Sequence, residues 1–324
     1  DVYTNLFKKQ LEHFVDVRNL SFAELAEKIH NDNIDVLIDL DGHSDGNALP
    51  VFAYKPAPIQ ISGVGYTFTT ALKAMDYFIT DEILDPPGTH ENLFSEKLLY
   101  VPSQFCYAMR EDVPTPQFAP CTKRDYVVFG TVCRWYNVNN DILQVWKKIL
   151  ENVPKSTLLI RADEFASNSE IDLAYARMKN LGFNMDQVLF APSAGKNYMQ
   201  ELMNLDVILD PYPCVGKSTT LDALYMGVPV ITFYGERRST RMGLSILKQV
   251  GLEGLAVPIN SPNDYVARAV GLVKDTATLD ALHKNLRNML KQSINLRTRP
   301  YTHNIEVNIE KLRYHKIIIM ADAD

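Results

Sequence analysis

The sequence predicts an α/β protein made of two doubly wound, parallel-sheet domains. Three observations carry this expectation. Short, continuous apolar runs recur along the chain, and segments of helical period separate them. The 324 residues, at roughly 150 per domain, make room for two cores. Apolar strands that alternate with helices indicate parallel sheets covered on both faces. Two open sheets of this kind place a ligand cleft at the carboxyl ends of their strands.

Amphipathic FAELAEKIH (22–30) leads into the β-rich run VLIDL (36–40), which stops at the turn-forming DGHSDGN. IQISGVG (59–65), DYFITD (76–81) and KLLYV (97–101) read as further strands. The stretch EDVPTPQFAPCTKR (111–124) carries three prolines and mixed charge, and reads as a linker. Beyond it YVVFGTV (126–132), TLLIRA (157–162), QVLFAP (187–192), DVILDP (206–211) and VPVITF (228–233) are strands of the buried type. ILQVWKKIL (142–150) and IDLAYARMKNLG (171–182) are helices between them, and the segment after residue 125 amounts to a complete doubly wound domain. The part before it holds fewer strands and looks like a lobe entered partway. The expected division is therefore 1–115, a partial N-terminal lobe; 116–300, a complete C-terminal lobe; and 301–324, a last helix, HNIEVNIEKLRYH, with its tail.

Composition narrows the classes. Hydrophobic residues at 46% and charged residues at 22% exclude a disordered or collagen-like chain. A net charge of −6 argues against a broad nucleic-acid footprint while leaving room for a local basic pocket. The four cysteines, Cys106, Cys121, Cys133 and Cys214, form no C-x-x-C, so neither a zinc site nor a disulfide framework is expected, and a reducing cytoplasm is the default. No apolar run approaches the ~18 residues of a membrane span, and the opening DVYTNLFKKQ lacks a signal-peptide pattern.

The sharpest local feature is DPYPCVGKSTTLDAL (210–224). A strand ends at Asp210, a Pro- and Gly-containing turn follows, and GKSTT opens a helix. Free N–H groups and the positive end of the helix dipole make such a place an anion site. Gly216 shapes the turn, Lys217 adds a charge, and Ser218 and Thr219 add hydroxyl donors; Asp222, one turn on, can accept from a ribose hydroxyl. The phosphate loop of ATPases requires glycine where Pro211 stands, so GKST is not that motif. The plainer alternative makes Ser218 an N-cap beside a surface lysine.

Three weaker features remain open. APSAGKNYM (191–199) places Ala194 and Lys196 in a strand-to-helix loop, with Tyr198 able to stack on a base or ribose. His43 stands just beyond a strand end, either as a general base or as a plain turn residue. GVGYTFTT (63–70) either brings backbone amides to a ligand or turns a corner, and GERRSTR (235–241) is either a phosphate-neutralising run or a solvated one.

With these residues in hand, the chain resembles the O-linked N-acetylglucosamine transferase (SPINDLY-like) family, especially its bacterial members. The resemblance rests on DVLIDLDGHSDGNALPVFAYKPAPIQISGVGYTFTTALKAMDYFITDEILDPPG and on LDPYPCVGKSTTLDALYMGVPVITFYGERRSTRMGLSIL, and runs in register from about 20 to about 315. It implies a GT-B fold, two Rossmann-like lobes with a cleft between them, the first on the acceptor side and the second holding the donor. It implies inverting transfer of a sugar from a nucleotide-diphosphate donor, a UDP-sugar of the N-acetylglucosamine kind, to Ser or Thr of a polypeptide, without metal or resident cofactor. The positions of Ala194 and Lys196 then contact uracil and ribose, those of Lys217, Ser218 and Thr219 the diphosphate, and that of Asp222 the ribose. His43 and Lys217 are the catalytic candidates.

The chain departs from the pattern at several of these places. Asn137 stands where the family has a lysine near the diphosphate, with Arg134 three residues earlier. Tyr198 stands where a uracil-side histidine is expected, and Lys217 where a histidine precedes the paired threonines. The family's glycine–asparagine–histidine segment and its helical repeats have no match here, which implies a further region or a partner subunit that supplies them. The alternative is a catalytically impaired GT-B scaffold that binds a nucleotide or an active transferase.

Overall fold

A computed structural model describes residues 2–193, 197–310 and 317–320. The chain forms two compact units, one of residues 1–105 and 299–324, the other of residues 106–298.

The first unit is built on β1 (Val36–Asp39), β2 (Ile59–Ser62), β3 (Tyr77–Thr80) and β4 (Lys97–Tyr100), all mutually parallel. β1 is buried along its whole length, which is why Val36, Leu37 and Ile38 follow one another without polar alternation before the buried Asp39. Helix Phe22–Asn31 begins at a capping box in which Ser21 and Glu24 satisfy each other's backbone N–H groups. Its Leu25, Ala26 and Ile29 pack with Leu37 and Phe52 on one face of the sheet. Ile305 and Ile309 of helix Thr298–Glu310 pack with Val36, Ile38, Ile61 and Ile79 on the other.

The second unit carries β5 (Val127–Val132), β6 (Ser156–Arg161), β7 (Val188–Ala191), β8 (Val207–Leu209), β9 (Val230–Tyr234) and β10 (Ala256–Pro258). Every pairing is parallel and the order is β10-β9-β8-β5-β6-β7. The chain therefore runs outward from β5 to β7, crosses back, and runs outward again from β8 to β10. This is the dinucleotide-binding strand order, and it creates a crevice beyond the carboxyl ends of β5 and β8, where the winding reverses. Trp146, Phe129, Phe233 and Tyr265 fill the core beneath, the last two stacked at 4.3 Å between ring centroids.

The structure draws two divisions differently from the sequence reading. IIIM, expected in the tail, is a strand, β11 (Ile317–Met320), paired in parallel with β1 at the sheet edge, so the C-terminal segment belongs to the first unit. The proline-rich stretch 111–124 is docked rather than loose. Pro114 O accepts from Arg287, Ala119 N–H donates to Asp280, and Cys121 N–H donates to the buried Asp206. Irregular backbone must find hydrogen-bond partners somewhere, and here the second unit supplies them, which puts the division at Cys106 rather than after 115.

Candidate functional site

The turn after β8 is organised by Asp210, which is 2% exposed. One carboxylate oxygen accepts from Gly216 N–H at 2.8 Å and the other from the Thr232 hydroxyl at 2.6 Å. Tyr265 donates to the carbonyls of Asp210 and Ile231, tying β8 to β9 from beneath. Burial pushes the Asp210 carboxyl up to about 7, against the two hydrogen bonds that favour its charged form. Gly216 has no room for a side chain. A Cβ there would lie 2.4 Å from Thr219 Oγ1 and 2.9 Å from Asp210 Oδ1.

Helix Ser218–Tyr225 starts immediately after this turn, and its N-cap is Lys217, without a side-chain cap. The alternative of Ser218 as N-cap is thus corrected: Ser218 is the first helical residue. The first-turn N–H groups point out of the helix end at the crevice beside β8, which is the arrangement that holds an anion. Burial lowers the Lys217 ammonium from its ordinary value. A nearby anionic group would oppose that shift, so the lysine is suited to a partner of negative charge.

Asp222 follows on the same helix. Its carboxylate accepts from the Tyr107 hydroxyl and lies 3.9 Å from the Arg110 guanidinium. Burial raises its carboxyl, and the Tyr107 and Arg110 contacts work against that rise. The Tyr198 hydroxyl is buried beside it without a hydrogen bond of regular geometry, and burial together with the Asp222 charge pushes that phenol up. Tyr225 closes the cluster, exchanging hydrogen bonds with the backbone of Arg110 and stacking under Arg287 at 4.3 Å. Tyr107 and Arg110 escaped the sequence reading. The only signal for them was an aromatic and a cation just ahead of the proline-rich stretch.

The loop after β5 lies on the other side of the crevice. Trp135 anchors it, buried against Phe165 and Phe190 with the Arg177 guanidinium 5.1 Å from its ring. Arg134 is exposed and donates to the Tyr136 hydroxyl at 2.8 Å; Asn137 is half-buried and its N–H closes on Arg134 O. The Cys133 thiol is pushed up to about 12, chiefly by burial and then by the carboxylates of Glu164 and Asp210. Gly216, Lys217, Ser218 and Thr219 thus share one helix end, Asp222 lies one turn along that helix with Tyr198 of helix Tyr198–Leu202 beside it, and Arg134 and Asn137 stand on the neighbouring strand's loop. Ala194 and Lys196 lie outside the described residues.

GERRSTR is a folded turn. Arg238 is buried, Arg241 donates to Gly235 O and covers the Tyr234 ring, and only Glu236 and Arg237 are exposed.

In the first unit, buried Asp39 accepts from the N–H groups of Asp41 and Gly42 and from the Ser62 hydroxyl, fixing the turn that ends in His43. His43 Nε2 donates to Thr70 O at 2.8 Å and the ring meets Tyr66 edge-on at 5.7 Å. The glycine loop beside it turns a corner. A Cβ on Gly65 would lie 1.7 Å from Leu40 O, so its glycines serve close backbone packing.

Two units, each built on a parallel sheet packed on both faces, the second with the winding reversal of a dinucleotide-binding sheet, match the GT-B class of glycosyltransferase folds. The comparisons agree and go further. The profile of glycosyl transferase family 41 matches residues 2–113 and 118–305, and the chain belongs to that family. It is 31% identical over 313 residues to the "Probable UDP-N-acetylglucosamine–peptide N-acetylglucosaminyltransferase SPINDLY" of Solanum lycopersicum, covering 94% of this chain and 33% of that one. It is 34% identical over 295 residues to the corresponding SEC protein of Arabidopsis thaliana, covering 86% and 29%. A mutant O-GlcNAc transferase of Thermobaculum terrenum superposes with a TM-score of 0.84 at 29% identity, covering 97% of this chain and 59% of that one. The chain thus spans about a third of the length of the curated relatives it matches. Among the described residues no helix is long and apolar enough to cross a membrane.

Proposed function

We propose that this chain is the catalytic region of an inverting glycosyltransferase that moves a sugar, N-acetylglucosamine in kind, from UDP to Ser or Thr of a polypeptide in the cytoplasm. The observation that carries the reading is the Asp210–Gly216 brace. It holds an uncapped helix N-terminus, with Lys217 at its N-cap, at the switch point of a nucleotide-binding sheet. Stabilising a departing diphosphate is the main electrostatic task of such a transfer, and preorganised amides with a cation suit it. Lys217, Ser218 and Thr219 hold the diphosphate in this reading, Asp222 the ribose, and Tyr198, with Ala194 and Lys196, the base. Arg134 and Asn137 face the donor from the β5 loop, and no resident cofactor is required.

In the reaction, the acceptor oxygen bonds to the anomeric carbon as the bond from that carbon to the diphosphate oxygen breaks. The electron pair leaves with the diphosphate, and the hydroxyl proton passes to His43. Support for UDP and a peptide acceptor comes from what the relatives' names print, and the rest of those longer proteins corresponds to a further region or partner subunit here.

Asn137 favours a second reading. An amide in place of a lysine removes one cation from the diphosphate side, as a scaffold relieved of catalysis would tolerate. Thermal shift and calorimetry with UDP, GDP, ADP and ATP, followed by transfer assays from UDP-sugars to peptide, separate the two. Selective stabilisation by one nucleoside diphosphate together with sugar transfer supports the enzyme. Binding without transfer supports the scaffold, and no binding by any of the four removes the site.

A further inference from the structure

We propose that Glu96 is a positioning residue for His43, acting through Thr70; this rests on the transferase reading in which His43 takes the acceptor's proton. Glu96 precedes β4 and is 5% exposed. One of its oxygens accepts from the Thr70 N–H at 2.7 Å and from the Thr70 hydroxyl. The other accepts from the Thr69 hydroxyl at 2.6 Å and from the Ser95 hydroxyl at 3.1 Å. A buried carboxylate is costly unless donors surround it, and here every donor but one comes from the same two residues of an irregular loop. That loop is held in an unfavourable shape, with Ala71 at φ +58°. Glu96 is what fixes where Thr70 sits.

Thr70 in turn fixes His43. Its carbonyl oxygen can only accept, so the 2.8 Å contact puts the imidazole proton on Nε2 and leaves the lone pair on Nδ1. Among the described residues Nδ1 takes no hydrogen bond, and the residue is exposed. The Tyr66 edge limits rotation of the ring. The chain Glu96, Thr70, His43 therefore presents one nitrogen, in one tautomer, as the base.

The test is a double-mutant cycle on the full chain with Glu96→Gln and His43→Ala, reading kcat and donor KM, beside ¹⁵N NMR of the His43 ring. Glu96→Gln is expected to lower kcat by about tenfold, the worth of one charge-assisted hydrogen bond, with donor KM little changed. His43→Ala is expected to lower kcat about 100-fold or more, and the double variant to be no worse than His43→Ala. The ring is expected to hold its proton on Nε2 in the wild type and to lose that preference in Glu96→Gln. Additive losses in the double variant, normal turnover in His43→Ala, or an unchanged tautomer in Glu96→Gln would each overturn the proposal. Should Glu96→Gln fail to fold, Thr70→Val removes only the hydroxyl arm and is expected to show the same pattern at smaller size. A wild type that transfers no sugar defeats the transferase reading, while the tautomer measurement still decides the positioning role.

Discussion

Asp210 and Gly216 are joined by a 2.8 Å hydrogen bond from the glycine N–H to the aspartate carboxylate, while the second oxygen of that carboxylate takes the Thr232 hydroxyl. One buried side chain thus sets the end of β8, the neighbouring β9 and the turn that presents the helix N-terminus.

This contact has a pH signature. The Asp210 carboxyl is raised from an ordinary 3.8 to about 7 in the fold. The folded state therefore binds this proton more tightly than the unfolded chain, and stability falls as pH rises from about 4 to about 7, then levels. Asp210→Asn keeps an acceptor for Gly216 and carries no proton to lose. Its unfolding temperature should decline less than that of the wild type across the same window, and parallel pH profiles would clear Asp210 of this role.

Gly216→Ala should disrupt the turn, because the added methyl would sit 2.4 Å from Thr219 Oγ1 and 2.8 Å from Thr220 Oγ1. Strain of this kind costs about 1–3 kcal/mol. Loss of UDP binding by calorimetry is expected to exceed the loss of thermal stability, since the helix end is re-aimed while the core is untouched.

Lys217→Ala should weaken a nucleoside diphosphate by about 1.5–3 kcal/mol, the worth of a charge-assisted hydrogen bond, and leave the bare nucleoside nearly unaffected. Calorimetry with UDP and uridine reads both. Equal losses for the two ligands would take Lys217 away from the diphosphate.

Tyr107→Phe removes a donor from the buried Asp222 carboxylate. Leaving such a group short of a partner costs about 1–3 kcal/mol. A lower denaturant midpoint and weaker uridine binding are expected together. A midpoint that falls while uridine affinity holds would separate Tyr107 from the ribose position.

Much of this was legible in the sequence. β1 to β9 all coincide with runs the sequence marks as strands, and β1, β8 and β9 show the cause most plainly, since a parallel strand buried on both faces needs apolar residues without alternation. The strand–turn–helix after β8 was legible because its parts are contiguous, from Asp210 through the helix that begins at Ser218. β10 escaped, being three residues long and ending in proline. β11 escaped because IIIM has no local feature to distinguish a strand from an apolar tail, and only its pairing with β1 makes it one.

The rest required the folded chain. Tyr107 and Asp222 are 115 residues apart, as are Arg110 and Tyr225, and no local pattern announces such a meeting. Glu96 and Thr70 are 26 apart and Thr70 and His43 27 apart, so a buried carboxylate and an exposed histidine come to share Thr70 as a hydrogen-bond partner only when the fold brings their loops together. Periodicity and turn chemistry act over a few residues, and they determined which segments are strands and where an anion could sit. Which side chains orient that site is a matter of long-range packing, where a buried polar group must take whatever partner the fold delivers, and this the tertiary structure alone decided.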